Sequence, residues 1–257
     1  MTARRFDTDT LLEQILEGDS EAFMAFYERY RGRVYRFIVR LCGNGQEGKA
    51  AYVSVWARFA ASRRKCKDPK ALKLAFFKSL ESPFWRTQKS EGETVPFSVL
   101  PRGLEEEGGW SVVLVQMVKR LPDHQRKRFL FRHEIGLSMK AVSQIFGESV
   151  AATRDCVNDA ETALLKGLGD AGCTRRITLD ALYRETRFLQ PPTSWDQDIL
   201  DGYVVWIEKR VPRALLKNLE ASTRAKRSIG SLISKALGRY KSDSLSKNPH
   251  QPLGSAS

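Results

Sequence analysis

Apolar residues recur at three- and four-residue spacing along the first eighty positions, which predicts a series of amphipathic helices. Thr8 or Asp9 is placed to cap a first short helix, which ends at Gly18. Asp19 caps a long second helix that ends at Gly43-Asn44-Gly45. The apolar stripe of this second helix comprises Phe23, Phe26, Tyr27, Tyr30, Val34, Phe37, Ile38 and Leu41, and its other side carries Arg29, Arg31, Arg33, Arg36 and Arg40.

Two further helical segments complete a predicted bundle of about four helices. The first runs through Tyr52, Val53, Trp56 and Phe59, and the second is the stretch ALKLAFFKSL before Ser82-Pro83. In and after the second segment, aromatic and basic residues are interleaved, namely Lys73, Phe76, Phe77, Lys78, Phe84, Trp85, Arg86 and Lys89. This composition is typical of a stacking surface for single-stranded nucleic acid. An equally good interpretation places the aromatic rings in the core and the lysines in solvent.

The composition changes after the bundle, where residues 90–109 are rich in Glu, Gly, Pro and Ser and predict a linker. Its acidic cluster, Glu105-Glu106-Glu107, is best read as solvated. A helix from Trp110 to Val118 follows and leads into the stretch from Leu121 to Leu165.

The pattern from Leu121 to Leu165 predicts a helix-turn-helix unit. A first helix starts after Pro122 and stops near Gly136, Ser138 caps a short second helix that ends at Gly147, and Ser149 caps a third. The predicted buried stripe of the third helix is Val150, Thr153, Val157, Ala160 and Leu164, with Arg154, Asp155, Asn158 and Glu161 facing outward. A helical hairpin of the kind found in any all-α protein fits the same spacing.

The last third of the chain predicts a basic helical extension. One helix contains Ile177, Leu179, Leu182 and Tyr183 and is broken by Pro191-Pro192. Ser194 can cap a second helix with Trp195, Ile199, Tyr203, Val204, Trp206 and Ile207, and a third begins at Leu215 after Pro212. The extension could fold back on the preceding units as an autoinhibitory segment or form an independent helical module. Residues 241–257 are polar and predict a disordered tail.

The formal net charge of +13 favours a polyanionic partner, such as nucleic acid or an acidic protein surface, over a merely soluble basic surface. The four cysteines and three histidines are scattered, so neither a metal site nor a disulfide framework is indicated. The sequence has no signal-peptide core and no membrane-spanning run, and we expect no membrane insertion and a cytoplasmic location. No phosphate-binding glycine loop or nucleophile–base pair suggests an enzyme, and no cofactor is expected.

Two long stretches resemble the extracytoplasmic-function (ECF) family of bacterial RNA polymerase sigma factors. LLEQILEGDSEAFMAFYERYRGRVYRFIVRLCGN is similar to the family's region two, and LPDHQRKRFLFRHEIGLSMKAVSQIFGES is similar to region four. The two stretches occur in the family's order with a linker of family-like length between them. The resemblance covers residues 8–168 and leaves the last third of the chain outside it.

The resemblance implies an all-α fold with a region-two-like bundle (8–89), a linker (90–109) and a region-four-like helix-turn-helix domain (110–168). The residue pattern adds a helical extension (169–240) and the tail (241–257). The resemblance also implies that the chain directs core RNA polymerase to promoter DNA, with an anti-sigma factor as a further partner. The DNA-binding candidates are Arg126, Arg128, Lys140, Ser149, Thr153 and Arg154. The promoter-opening candidates are Lys73, Phe76, Phe77, Lys78, Trp85 and Arg86. The polymerase-binding candidates are Tyr30, Tyr35, Tyr52, Val53 and Trp56.

Several positions differ from the family pattern and define a second hypothesis. Lys49, Ala50 and Val53 stand where the family has an acidic pair and a glutamine, and Glu81 and Ser82 stand at its usual arginine-asparagine step. The third helix of the helix-turn-helix unit carries RDCVNDAE in place of a basic run. The alternative is therefore a sigma-like adaptor that binds an anti-sigma factor or polymerase without initiating transcription.

Overall fold

Helices dominate the parts of the chain that the computed structural model describes, which are residues 7–43, 45–81, 109–173, 178–179, 181, 183, 189–210 and 215–217. No β-strand occurs within these ranges, and the predicted all-α class is confirmed. None of the helices in these ranges combines the length and the apolarity needed to cross a membrane. The predictions for Phe84, Trp85, Arg86 and Lys89, for the linker up to residue 108, for Ile177 and Leu182, and for the tail lie outside the described residues.

The first two helices begin and end at residues whose side chains favour those positions. α1 (Thr8–Glu17) is capped by Asp7, whose carboxylate accepts from Thr8 N at 2.7 Å, so the predicted cap at Thr8 or Asp9 is wrong by one or two residues. Gly18 ends α1 at a φ of 100° that favours glycine. Asp19 caps α2 (Ser20–Cys42) as predicted, accepting from Glu21 N at 2.8 Å and from Ala22 N at 3.0 Å.

The next two helices pack with α1 and α2 around an aromatic core. α3 (Gln46–Ser62) is followed by a short 3-10 turn (Arg63–Lys65), and α4 (Pro69–Glu81) starts with a proline, whose missing N–H costs nothing there. The Phe76 ring lies 5.0 Å from the rings of Phe26 and Phe59, measured between centroids. Phe76 and Phe77 are buried, so the core interpretation of these two aromatics is the one observed.

The second half of the described chain contains the predicted helix-turn-helix boundaries. α5 (Gly109–Arg120) precedes α6 (Asp123–Leu130), which continues through one π-helical turn (Phe131–Ile135). α7 (Met139–Phe146) and α8 (Val150–Asp170) follow. On α8, Thr153, Val157, Ala160 and Leu164 are buried as predicted. Val150 is 37% exposed, and its prediction as a core residue is wrong because the buried stripe of α8 begins only at Thr153.

The C-terminal segment packs against the first bundle. α9 (Thr193–Leu200) begins after Pro192, so Ser194 lies inside the helix and is not its cap as predicted. A π-helical turn (Val205–Arg210) follows, and the side chains of Trp195, Ile199, Trp206 and Ile207 are buried. Buried apolar residues from α1 to this segment form one connected core among the described residues. The predicted domain division is untested and stays a prediction.

A buried ion-pair cluster joins α2 to the end of α6. Arg36 Nε donates to Glu134 Oε1 at 2.7 Å, and Arg40 also pairs with Glu134. Arg36 and Arg40, which the sequence places on the side of α2 opposite its apolar stripe, are therefore buried too, at 6% and 2% exposure. Burial lowers the pKa of both guanidinium groups. The Phe37 and Phe131 rings, with centroids 4.9 Å apart, pack beside the cluster.

Candidate functional site

The helix-turn-helix candidate is built from two serine caps and one glycine turn. Ser138 Oγ accepts from Ala141 N at 3.2 Å at the start of α7, and Ser149 Oγ accepts from Ala152 N at 3.1 Å at the start of α8. Gly147 ends α7 at a φ of 68°, a backbone conformation that side chains with a Cβ rarely adopt. These local interactions fix where α8 begins and therefore which of its side chains face outward.

The outward face of α8 carries charges of both signs. Arg154 and Lys166 are exposed on this helix, and so are three carboxylates and two polar side chains: Asp155, Asp159, Asp170, Asn158 and Thr162. Glu161 is half-buried and hydrogen-bonds His133 Nε2 at 2.8 Å. The face therefore combines acidic groups, which a phosphate backbone repels, with two cations that it attracts.

Two of the predicted DNA-binding arginines are held within the protein. Arg128 forms a two-pronged ion pair with Glu148, with Nε 2.7 Å from Oε1, and its guanidinium lies 4.2 Å over the Phe146 ring. Arg126 donates to Lys119 O at 2.9 Å and to Asp123 Oδ1 at 3.1 Å. Both side chains are less than 15% exposed, so their interactions here link α6 to its neighbours.

Glu148 connects the turn before α8 to α6 and to α8 itself. Besides Arg128, it accepts a hydrogen bond from Thr153 Oγ1 at 2.6 Å, and Thr153 is completely buried. The hydrogen bond from Arg128 lowers the pKa of the Glu148 carboxyl, with that from Thr153 acting in the same direction. Arg128, Glu148 and Thr153 therefore position α8, although sequence reasoning identified only the first and last of them and assigned both to DNA contacts.

Lys140 and Arg154 are the DNA-binding candidates that face solvent with cationic side chains. In the described part of the chain, neither side chain has an ion-pair partner within 4 Å. Ser149 is exposed, but its hydroxyl is engaged in capping α8. Of the six DNA-binding candidates, Lys140 and Arg154 are therefore the two cations whose side chains are available for contact with a polyanion.

The promoter-opening candidates are divided between core and surface. Phe76 and Phe77 are in the aromatic core, where their rings are tilted at 55° to each other with centroids 5.2 Å apart. Lys73 Nζ is 3.0 Å from Asp9 Oδ1, and Lys78 is exposed. Trp85 and Arg86 lie outside the described residues, and the other four candidates share α4 without forming one surface.

The polymerase-binding candidates are mostly buried. Tyr52, Val53 and Trp56 on α3 are completely buried, Tyr35 is 8% exposed, and Tyr30 is half-buried. Part of this burial comes from α9. The Trp195 ring lies 5.1 Å from the Tyr35 ring and 5.7 Å from the Tyr52 ring, measured between centroids.

A polar cluster that sequence reasoning missed lies beneath α9. The Asp196 carboxylate accepts hydrogen bonds from the hydroxyls of Tyr27 and Tyr52, the latter at 3.3 Å, and pairs with Arg31. Burial raises the pKa of both tyrosines, which keeps them protonated as donors. The available signal was the three-residue spacing from Asp196 to Ile199, which places an acid on the apolar side of α9.

One comparison with known proteins agrees with the resemblance in the sequence. The chain is 27% identical over 176 residues to the ECF RNA polymerase sigma factor SigK of Mycobacterium sp. (strain JLS). The alignment covers 63% of this chain and 91% of that protein. No family model matches the sequence. The likeness to SigK supports the suggestion of an ECF sigma factor and a role in transcription, and about a third of the present chain lies outside it.

Proposed function

We propose that the protein is a divergent ECF-type sigma factor that directs core RNA polymerase to specific promoters. The observation that carries the proposal is the alignment with SigK, which covers nearly all of that protein. The all-α fold and the serine-capped α7–α8 pair are compatible with it. On this proposal residues 8–89 act as region two, residues 110–168 act as region four, and the protein works in the cytoplasm without enzymatic activity of its own.

In this function α8 is the helix that enters the major groove of the promoter. Arg154 on α8 and Lys140 on α7 provide the cations, since each is exposed and can displace counterions from the phosphate backbone. Arg128 acts indirectly, because its pairing with Glu148 holds the turn that sets the position of α8. The phosphate backbone repels the carboxylates of Asp155 and Asp159. α8 must therefore enter the groove in an orientation that keeps these two side chains away from the phosphates.

In vitro transcription with purified bacterial core polymerase tests the proposal. Templates come from a genomic library, and the expected result is promoter-dependent run-off transcripts that require the full-length protein. Arg154→Ala should reduce these transcripts, whereas Lys166→Ala, an exposed cation three turns further along α8, should leave them unchanged. The absence of any protein-dependent transcript would refute the proposal.

A second candidate is a sigma-like adaptor that binds polymerase or an anti-sigma factor without initiating transcription. The specific observation in its favour is that the outward face of α8 is acidic at Asp155 and Asp159. Salt-dependent DNA binding separates the two candidates. A promoter reader should lose affinity steeply with rising salt and prefer some sequences, whereas the adaptor should show only the weak, sequence-independent binding of a basic chain.

A further inference from the structure

The C-terminal segment 193–207 lies on a face formed by α2 and α3. Its apolar contacts come from Trp195, on Tyr35 and Tyr52, and from Tyr203, whose ring is stacked parallel to Phe23 at 6.1 Å. Trp206 and Ile207 are buried in the same region. The segment therefore covers two of the five residues to which the sequence assigns polymerase binding, Tyr35 and Tyr52.

Polar contacts hold the same segment at its first helical turn and beyond. Asp196 accepts from Tyr27 and Tyr52 and pairs with Arg31, and Asp198 Oδ2 lies 2.7 Å from Lys49 Nζ. Lys49 and Asp198 side chains are each 15% exposed, so the pair lies at the rim of the covered face.

The surface of α3 leaves room for the segment. A Cβ on Gly48 would stand 3.2 Å from Trp195 Cη2, as well as 2.0 Å from the backbone oxygen of Gly43. At its other end the segment is held by the Arg63 guanidinium, which donates to Ile207 O at 2.6 Å. The contact is therefore specific along its length.

The segment has few interactions that would keep it helical by itself. α9 has eight residues, Pro192 provides no side-chain cap, and Leu200 and Val204 are about 40% exposed. Short helices of this kind are marginal without tertiary contacts. By contrast, α2, α3 and α4 have aromatic contacts of their own, because the rings of Phe26, Phe59 and Phe76 pack on one another without the segment. The segment can therefore leave while the bundle stays folded.

The face beneath the segment has the composition of a protein-binding surface. It would present Tyr27, Tyr35 and Tyr52 together with Arg31 and Lys49, and aromatic residues and arginine are enriched where proteins bind one another. The tyrosine hydroxyls and Arg31 that now serve Asp196 would be available to a partner's polar groups.

We propose that residues 193–207 are an intramolecular cover, and that core RNA polymerase binds the α2–α3 face only when this cover is released. The inference rests on the proposed function, which names the partner, and adds the regulation of its binding. The free protein is then mostly closed, and its apparent affinity for core polymerase equals that of the open form multiplied by the small fraction of time that the cover is open.

Two full-length variants that weaken the cover test the proposal. Asp198→Lys places two cations opposite each other at Lys49, and Trp195→Ala removes the ring between Tyr35 and Tyr52. Asp201→Lys is the matched control, since it makes the same charge change on an exposed residue that bonds only Gln197 in the described contacts. Opening is measured by hydrogen–deuterium exchange of residues 193–207, and binding is measured by biolayer interferometry on immobilised core polymerase.

We expect Asp198→Lys and Trp195→Ala to exchange faster in the segment and to bind core polymerase at least about tenfold more tightly, with Asp201→Lys like the wild type. Far-UV circular dichroism confirms that the bundle remains helical. Faster exchange with unchanged or weaker binding overturns the cover and leaves the proposed function standing. Unchanged exchange in both variants also overturns it, because these contacts then do not hold the segment. If neither the wild type nor any variant binds core polymerase, although the segment opens in the variants, the proposed function itself fails.

Discussion

α3 and α8 are two of the helices that the sequence assigns to partners, and they differ in how much of each is buried. Eleven of the seventeen residues of α3 are buried, and they lie on all sides of the helix. On α8 only six of twenty-one residues are buried, and they form one stripe. A helix that is apolar all round lies inside a protein, whereas a striped helix keeps one face for solvent or for a ligand.

This difference in burial determines how each of the two helices could bind a partner. α8 can meet a partner as it stands, because its outer residues are already exposed. α3 cannot, because Tyr52, Val53 and Trp56 are fully buried and Trp195 lies against the first of them. Binding through α3 therefore requires a rearrangement, and binding through α8 does not.

The comparison predicts its largest effect for truncation of a side chain on α3. Trp56→Ala should destabilise the protein by about 3–5 kcal/mol, because it leaves a cavity beside Tyr27 and Phe76. Leu165→Ala on α8, where the side chain is 50% exposed, should change stability by no more than about 0.5 kcal/mol. Urea unfolding followed by circular dichroism measures both, and similar costs at the two positions would contradict the distinction.

The second effect concerns two acidic residues, Glu134 in the π-helical turn after α6 and Glu161 on α8. Glu134→Gln should cost about 3–5 kcal/mol, because it removes the carboxylate that compensates the buried Arg36 and Arg40. Glu161→Gln should cost at most about 1 kcal/mol, because its hydrogen bond with His133 is partly exposed. Thermal and urea unfolding at pH 7 measure the loss of stability in both variants. A small loss in Glu134→Gln would show that the buried ion-pair cluster does not hold α2 and the end of α6 together.

The third effect is on binding through α8 and depends on the proposed function. Arg154→Ala should weaken promoter binding by about 1–3 kcal/mol if the guanidinium contacts a base, or lower the salt slope by about one if it contacts a phosphate. Its effect on unfolding should stay within about 0.5 kcal/mol, since the side chain is exposed. Fluorescence anisotropy at several salt concentrations measures binding, with Lys166→Ala as the control. Equal losses for both variants would indicate a nonspecific charge effect.

The smallest effect is a pH dependence at the start of α8. Arg128 lowers the folded-state pKa of Glu148, so the stabilisation from this carboxylate is complete above the unfolded pKa of about 4.3 and is lost as pH falls through the lower folded value. Wild type should therefore exceed Glu148→Gln in stability by about 1 kcal/mol at pH 7 and lose that advantage in more acidic solution. Melting temperatures from pH 7 to pH 3 test this, and a constant difference would contradict the assignment.

The features predicted correctly from the sequence are those that neighbouring residues determine. Ser138, Ser149 and Gly147 act on groups at most four residues away, so their capping roles follow from local pattern alone. The exposure of Arg154 follows in the same way from the spacing of the buried stripe of α8. Helix boundaries were less exact, as the cap of α1 at Asp7 shows.

The features that were missed depend on partners far away in the chain. Arg36 meets Glu134 across 98 positions, and Tyr27 meets Asp196 across 169. Helical periodicity gives the direction in which a side chain points and contains nothing about which helix will lie there. The same reason explains why the role of Arg128 was missed. Its position on α6 suggested a DNA contact, but its partner Glu148 lies twenty residues later in the turn before α8.

The sharing of Glu134 by Arg36 and Arg40 has a practical consequence for work with fragments of the chain. A fragment that ends before α5 would keep both guanidinium groups of α2 but lose their carboxylate and the Phe131 ring beside them. Two adjacent cations on an apolar surface attract polyanions of any sequence. Nucleic-acid binding by such a fragment would then report a surface created by the cut, and only the intact chain is a valid reference for it.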